Sequence, residues 1–208
     1  MSIFRVCMRN LLLVLTAALA ACAPGDKPVD NTALRGVELG APLPRPQFTL
    51  AATDGQPYDF YARTKGKLTF LFFGYTHCPD ICPVHVANVA TVLRGLSFDD
   101  RKRAQFVFVT VDPARDSLPL LKQWLAQFDD TFIGLVGSLD SVNAIQAGIN
   151  LPPAFIPEPD ADGNYYPGHA AQVLVFEEDD FARLLYPFGT RQVHWANDIP
   201  LLLARHRP

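Results

Sequence analysis

The sequence predicts an α/β domain in which a central mixed sheet is flanked by helices, and three observations support this prediction. Residues 67–74 and 105–111 are nearly continuous apolar runs, which is typical of strands buried on both faces as in a parallel sheet. Each run is followed by a segment with helical apolar spacing, at residues 84–96 and 117–128. An Asp-Gly turn signal at residues 54–55 separates two short alternating stretches and predicts an N-terminal β-hairpin.

The chain begins with the features of a secretory leader. Arg5 and Arg9 precede an apolar run over residues 11–21, which has the charge and length of a signal-peptide core and is too short to span a membrane comfortably. The run ends in LAAC at residues 19–22, which resembles the bacterial lipobox, whose cysteine is lipidated. We therefore expect residues 1–21 to be removed as a lipoprotein signal peptide. The alternative is a conventional signal peptide followed by an incidental cysteine.

The four cysteines divide between the leader and the domain. Cys7 would leave with the leader and Cys22 would carry the lipid, so Cys78 and Cys82 are the thiols that remain for an oxidising space. This distribution excludes a framework of several disulfides. The lipid on Cys22 would anchor the protein at the cell membrane, with its domain facing the periplasm or another extracytoplasmic space.

The mature chain is predicted to be acidic. Removal of residues 1–21 takes away two arginines and no acidic residue, so 16 basic and 21 acidic side chains remain and the net charge is −5. Nucleic acid is therefore not an expected partner. Residues 22–46 contain several prolines and are predicted to form an extended membrane tether. Residues 47–208 suffice for one hydrophobic core and are predicted to be one domain.

The rest of the pattern completes the order of the elements. Ser138 is typical of a helix N-cap, and the prolines that follow residue 150 predict a long loop. The remaining predicted elements are a short strand at 132–136, a helix at 138–149, strands at 171–176 and 183–188, and a helix at 192–205. The order is a hairpin, then βαβα, then ββα, which is the thioredoxin-like (peroxiredoxin-like) order.

Two cysteines spaced four apart follow the first buried strand. Pro79 suits the first position of a helix because its missing N–H is unpaired there anyway, which places Cys78 beside a helix N-terminus. Pro83 repeats this signal, and we expect the regular helix to start near it. Residues four apart in a helix have Cα atoms about 6 Å apart, a separation that allows either a disulfide or two thiolates on one metal ion.

Two longer motifs contain or follow these residues. Residues 72–83 (FFGYTHCPDICP) and residues 109–116 (VTVDPARD) resemble, in this order, two signatures of the Sco/SenC family. His169, which precedes a predicted strand, resembles the third. The likeness covers roughly residues 47–205 and is far more specific than a lone pair of cysteines.

This resemblance implies a membrane-tethered, thioredoxin-like protein that binds one copper ion through Cys78, Cys82 and His169. It also implies a role in assembling the dinuclear copper site of cytochrome c oxidase, with oxidase subunit II or another periplasmic copper protein as the partner. Two thiolates favour Cu(I), and an added imidazole gives a set that can also hold Cu(II). The alternative is a thiol–disulfide reductase in which the redox pair Cys78 and Cys82 keeps the copper-site cysteines of a partner reduced. Peroxide reduction by the same pair is a third option.

Three further side chains lie near this candidate site in the sequence. His77 adjoins the first cysteine but should point away from the sulfur pair, which predicts a place on the rim. His85 lies one helical turn after the second cysteine, and we expect it to be exposed to solvent rather than to bind metal. Asp112 follows the second buried strand and either pairs internally with Arg115 or contributes to the rim.

The sequence departs from the family on both sides of His169. The family commonly has an acid before this histidine and a hydroxyl after it, whereas Gly168 and Ala170 stand here. Because such partners fix the tautomer and orientation of a ligand imidazole, their loss could lower copper affinity or leave the task to a backbone carbonyl.

Overall fold

The computed structural model describes residues 33–206, in which one sheet of eight strands is flanked by helices. The strands are β1 (Val37–Pro44), β2 (Thr49–Ala52), β3 (Pro57–Asp59), β4 (Leu68–Gly74), β5 (Ala104–Thr110), β6 (Ile133–Val136), β7 (Val173–Phe176) and β8 (Phe181–Tyr186). The helices are α1 (Phe60–Thr64), α2 (Ile81–Arg94), α3 (Phe98–Arg103), α4 (Leu118–Ala126), α5 (Leu139–Gly148) and α6 (Gln192–Arg205). The strand order is β1-β8-β7-β4-β5-β6-β2-β3.

The centre of the sheet is the strand that leads into the cysteine pair. All seven residues of β4 are buried, and β4 pairs in parallel with β5 and antiparallel with β7. β5 also pairs in parallel with β6, and the predicted hairpin β2–β3 joins the sheet through antiparallel pairing of β2 with β6. The mixed sheet, its parallel centre and the N-terminal hairpin are therefore confirmed.

Helix boundaries follow from local capping. Ser117 accepts a hydrogen bond from the backbone N–H of Leu120 at the start of α4, and Ser138 does the same for Ser141 at the start of α5. Both helices therefore begin where the sequence predicts. The short helices α1 and α3 are not predicted, because five or six residues carry too little periodicity to be recognised.

Helix α2 begins earlier than the prolines indicate. The sequence predicts a regular start near Pro83, whereas the helix starts at Ile81 and Pro83 is its third residue. The first four N–H groups of a helix have no partner within it, so a proline in the first turn removes no helical hydrogen bond. As a result the second cysteine, Cys82, belongs to the first turn of α2.

The folded part of the chain also begins before Gln47. The sequence predicts a tether over residues 22–46, but Val37–Pro44 forms β1 at the edge of the sheet beside β8. Prolines are tolerated on an edge strand because one side of its backbone needs no partner. Most of β1 is exposed, so it lacks the apolar alternation that identifies a strand in a sequence.

Arg45 fastens the end of β1 to the sheet. Its side chain is fully buried, and its guanidinium donates to Asp180, Thr64, Thr69 and two backbone carbonyls, those of Lys67 and Glu177. A buried cation is stable only when its donors are satisfied, and here they are.

Strand direction places the start of β1 at the same end of the sheet as the end of β4. β4, β7, β8 and β1 are neighbours that alternate in direction, so β4 and β8 end where β7 and β1 begin.

None of the helices within residues 33–206 is long and apolar enough to cross a membrane. The predicted leader and Cys22 lie outside the described residues.

Candidate metal centre

Three side chains from three segments meet at this end of the sheet. Cys78 lies in the turn after β4, Cys82 in the first turn of α2, and His169 in the loop that precedes β7. Their ligand atoms all lie within 4.8 Å of one another, and Cys82 Sγ is 3.8 Å from His169 Nε2. Metal bonds of about 2.3 Å to sulfur and about 2.0 Å to nitrogen put two ligands of one ion roughly 3.5 to 4.3 Å apart. The spacing therefore suits a single ion.

The two sulfurs occupy different electrostatic environments. The backbone N–H of Cys82, in the first turn of α2, donates to Cys78 Sγ at 3.4 Å. Hydrogen bonds from the Cys82 side chain and from this N–H lower the pKa of Cys78 far below that of an ordinary thiol. Burial raises the pKa of Cys82, which is 0% exposed, and its hydrogen bond to Cys78 acts in the same direction. Cys78 is thus the thiolate, and Cys82 gives up its proton when a metal binds.

The orientation of His169 is set by its own backbone. Nδ1 is 3.1 Å from the carbonyl oxygen of Ala170, so an N–H at Nδ1 donates to that oxygen and the lone pair of Nε2 faces the sulfurs. A hydrogen bond of this kind fixes the tautomer that a metal requires. The Ala170 carbonyl thus provides the hydrogen bond that an acid or hydroxyl beside His169 would otherwise provide.

Gly168 has a packing role beside the histidine. It forms an isolated antiparallel bridge with Phe155, with both backbone hydrogen bonds at 3.0 Å. A Cβ on Gly168 would lie 2.1 Å from the ring of Phe155. An acid at this position would therefore require the Phe155 ring, which is 63% exposed, to move.

Gly74 makes room for the buried sulfur. A Cβ at this last residue of β4 would lie 2.9 Å from Cys82 Sγ and 2.9 Å from the Phe108 ring. Its neighbour Tyr75 is 3% exposed, and its ring packs edge-on against His169 with centroids 5.6 Å apart. Burial and the nearby Cys78 raise the pKa of Tyr75, so its hydroxyl stays protonated next to the Cys78 thiolate. Neither Gly74 nor Tyr75 was predicted to take part in the site, although both lie within the motif at residues 72–83.

The second motif holds the cysteine turn in place. Asp116 is fully buried and accepts hydrogen bonds from the backbone N–H and the hydroxyl of Thr76, and from the hydroxyl of Thr110 at the end of β5. These bonds tie the turn after β4 to the neighbouring strand. The second motif therefore supports the site without contributing a ligand.

Of the two alternatives for Asp112, the structure shows the internal ion pair and not an exposed rim. It is 1% exposed, its carboxylate pairs with Arg115, and it accepts a hydrogen bond from the Tyr165 hydroxyl at 3.0 Å. The Arg115 guanidinium lies 3.6 Å from the centroid of the Tyr165 ring. This cluster connects the second motif to the long loop that carries the histidine.

The prediction that His85 is exposed is wrong. It is 1% exposed, and its ring packs edge-on against Phe72, Phe188 and Trp195. Its Nε2 lies 3.0 Å from the carbonyl oxygen of Ala171 and so does not face the sulfurs. An isolated histidine on a helix gives no sign of such a partner, because the partner lies 86 residues further along the chain.

The remaining histidines lie apart from the donor atoms. His77 is exposed, with Nδ1 3.1 Å from the Thr76 hydroxyl and 3.7 Å from the Asp116 carboxylate, and it does not line the cleft. His194 lies 3.4 Å from Arg191 on α6, and His206 lies 3.1 Å from Glu177.

An open cleft of about 300 Å³ gives access to the donor set. It is lined by Tyr75, Cys78, Pro79, Asp80, Ile81, Tyr166, Pro167, Gly168 and His169. Cys82 lies beneath the cleft and is not part of its lining. Two thiolates and an imidazole are soft to intermediate donors of the kind that copper prefers, and the cleft leaves space for a ligand from a second protein.

Comparisons with known proteins agree with this arrangement. A family model described as SCO1/SenC matches residues 38–204. A protein of Stutzerimonas stutzeri named "Putative copper-binding protein" is 32% identical over 180 residues, which cover 85% of each chain. The chain spans about half or less of the length of the mitochondrial SCO proteins that it also matches.

Solved structures show the same architecture. Apo Sco1 from Thermus thermophilus has 27% identity and a TM-score of 0.71, covering 82% of this chain and 97% of that one. Bradyrhizobium japonicum ScoI with copper bound has 28% identity and a TM-score of 0.64, covering 75% of this chain and 97% of that one. The predicted thioredoxin-like fold is thereby confirmed.

Proposed function

Because the chain belongs to the SCO1/SenC family, we propose that it binds one copper ion through Cys78, Cys82 and His169 and takes part in the assembly of cytochrome c oxidase. The single observation that carries this proposal is the convergence of two sulfurs and Nε2 of one imidazole within 4.8 Å. A structural disulfide would not need the histidine, and a redox pair alone would not need its Nε2 directed at the sulfur.

We propose further that the copper is cargo, and that it passes to the dinuclear copper site of oxidase subunit II or to another periplasmic copper protein. The cleft supports this proposal because Cys78 and His169 line it, while Cys82 is fully buried beneath it. A thiol of the partner can approach through the cleft and join the donors before this chain releases its own. Copper then moves by ligand exchange and is never free in solution.

Anaerobic copper titration of the reduced domain tests the site. The wild type should bind one ion, and His169→Ala should weaken binding on the order of a hundredfold because one of three donors is lost. Cys78→Ser and Cys82→Ser should each abolish tight binding, since a hydroxyl is a poor ligand for Cu(I). Competition with a chromophoric Cu(I) chelator measures these affinities.

His77→Ala is the matched control for this titration. His77 directly precedes Cys78 in the chain, but it is exposed and contacts Thr76 instead of the donors. It should bind copper as the wild type does. Equal affinity of the His169→Ala variant and the wild type would reject the three-ligand site.

A thiol–disulfide reductase is the second candidate, and the lowered pKa of Cys78 favours it. In that reaction the Cys78 thiolate attacks a disulfide of the partner and forms a mixed disulfide. Cys82 then gives up its proton and attacks Cys78, so this chain becomes oxidised and the partner leaves as a dithiol. Normal oxidase assembly in cells that carry His169→Ala, with failure of either cysteine variant, would favour this reaction over copper delivery.

We also propose that the protein is anchored to the cell membrane through a lipid on Cys22, with its domain in the periplasm or an equivalent space. The lipobox-like residues 19–22 support this proposal. Such a location would bring the domain to the compartment in which an extracytoplasmic copper centre is built.

A further inference from the structure

The buried imidazole of His85 joins the two segments that carry the donors. His85 lies three residues after Cys82 on α2, and its Nε2 is 3.0 Å from the carbonyl oxygen of Ala171. Ala171 lies two residues after His169, in the same loop. One hydrogen bond therefore links the helix that holds a sulfur ligand to the loop that holds the nitrogen ligand.

The surroundings of His85 make it a neutral donor. Burial among Phe72, Phe188 and Trp195 lowers its pKa to about 4. A neutral imidazole has one N–H, and Nδ1 of His85 is buried without a hydrogen-bond partner among the described residues. An unpaired buried N–H is costly, so the proton belongs on Nε2, where the Ala171 carbonyl accepts it.

Two successive carbonyls of the loop are held by two imidazoles. The Ala170 carbonyl accepts from Nδ1 of His169, and the Ala171 carbonyl accepts from Nε2 of His85. Phe72 packs edge-on against both rings, with centroid distances of 5.2 Å to His85 and 6.1 Å to His169. Rotation of the peptide group that carries the Ala170 or the Ala171 carbonyl would break one of these two hydrogen bonds.

We propose that His85 is a positioning residue for the copper site, whose hydrogen bond to Ala171 holds His169 at its distance from Cys82. This inference rests on the proposed copper site. Packing alone would be satisfied by an apolar side chain of similar size, whereas this position carries a donor whose acceptor lies in the ligand loop. The 3.8 Å separation of Cys82 Sγ and His169 Nε2 is thus set by the protein itself.

Two substitutions separate the hydrogen bond from the packing. His85→Leu fills the same space with an apolar side chain and removes the N–H donor, while His85→Gln places an amide N–H near the position of Nε2. Val89→Ala is the matched control, because Val89 is buried one turn further along α2. Each variant is measured for Cu(I) affinity by chelator competition and for the absorption and electron paramagnetic resonance spectra of bound Cu(II). Amide hydrogen exchange over residues 165–172 is measured in the copper-free protein.

His85→Leu should weaken copper binding about tenfold, change the Cu(II) spectra and speed exchange in the loop. His85→Gln should restore most of each property, and Val89→Ala should lower thermal stability without changing the spectra. Wild-type affinity, spectra and exchange in a folded His85→Leu variant would overturn the proposal, as would a His85→Gln variant as impaired as His85→Leu. If the wild type binds no copper, the proposed function fails, and hydrogen exchange alone then decides whether His85 positions the loop.

Discussion

At the scale of single residues, the site depends on an asymmetry between its two cysteines. Cys78 faces the cleft, and its sulfur accepts a hydrogen bond from a backbone N–H in the first turn of α2, whereas Cys82 is buried behind the Gly74 backbone. The sulfur of Cys78, which lines the cleft, is therefore the more acidic and the more accessible one. A partner meets Cys78 first, in copper transfer and in disulfide exchange alike.

This asymmetry predicts an unusual pH dependence of alkylation. Because the pKa of Cys78 is lowered, its thiolate is present at every pH above that lowered value and is lost only in strong acid. An ordinary thiol loses on the order of a hundredfold in thiolate between pH 8 and pH 6. The iodoacetamide rate of copper-free, reduced protein should instead change less than about threefold over this range.

Mass spectrometry assigns the modified residue in that experiment. Cys78 should be labelled first, and Cys82 should react slowly because it is buried and its pKa is raised. Cys82→Ser retains the backbone donor and serves as a control for the identity of the reactive thiol. Preferential labelling of Cys82 would contradict the assignment of the thiolate.

Individual residues also show what a sequence can and cannot reveal. Cys78 and Cys82 could be selected because they lie in a long motif, and His169 because it precedes a strand and resembles the third signature of the family. The structure brings the three together. His85 was misjudged because its environment is formed by Phe188, Trp195 and the Ala171 carbonyl, all about a hundred residues away. The contact between Gly168 and the Phe155 ring is likewise formed only in the folded chain.

At the scale of elements, strongly periodic segments were predictable and an exposed one was not. β4, β5 and α6 combine continuous or periodic apolar residues with clear ends, and they lie where the sequence places them. β1 is held by its edge pairing and by Arg45, neither of which leaves an apolar pattern. Pairing with a strand some 140 residues later is a property of the tertiary fold.

The contribution of the β1 segment can be measured through Arg45. Arg45→Met should lower the free energy of unfolding by about 3 kcal/mol, because Asp180 and two buried carbonyls lose their donor. Urea denaturation followed by fluorescence measures the change. Arg63→Met is the control, since Arg63 is exposed and lies over the Tyr58 ring, so its replacement should change the free energy of unfolding by at most about 1 kcal/mol. Equal midpoints for the two variants would show that Arg45 does not fasten this segment.

At the scale of the whole molecule, the proposed anchor leads to a prediction about location. The described residues contain no helix suited to crossing a membrane. The attachment that we propose is the lipid on Cys22. Cys22→Ser should move the protein from the membrane fraction to the soluble fraction, or leave it unprocessed. Fractionation and immunoblotting measure this shift. Cys7→Ser is the matched control, because that cysteine lies within the predicted leader, and membrane retention of Cys22→Ser equal to wild type would reject the lipid anchor.

The direction of β1 determines on which side of the domain the chain arrives from the proposed anchor. β1 begins at the end of the sheet where β4 finishes and the three donors meet, and it is separated from β4 by β7 and β8. With strands about 4.8 Å apart, the chain enters the domain only about 15 Å from the strand that leads to Cys78. The 14 residues between Cys22 and Val37 reach at most about 50 Å when fully extended. An attachment on the same side of the domain as the cleft would keep the copper opening within this reach of a membrane-bound acceptor.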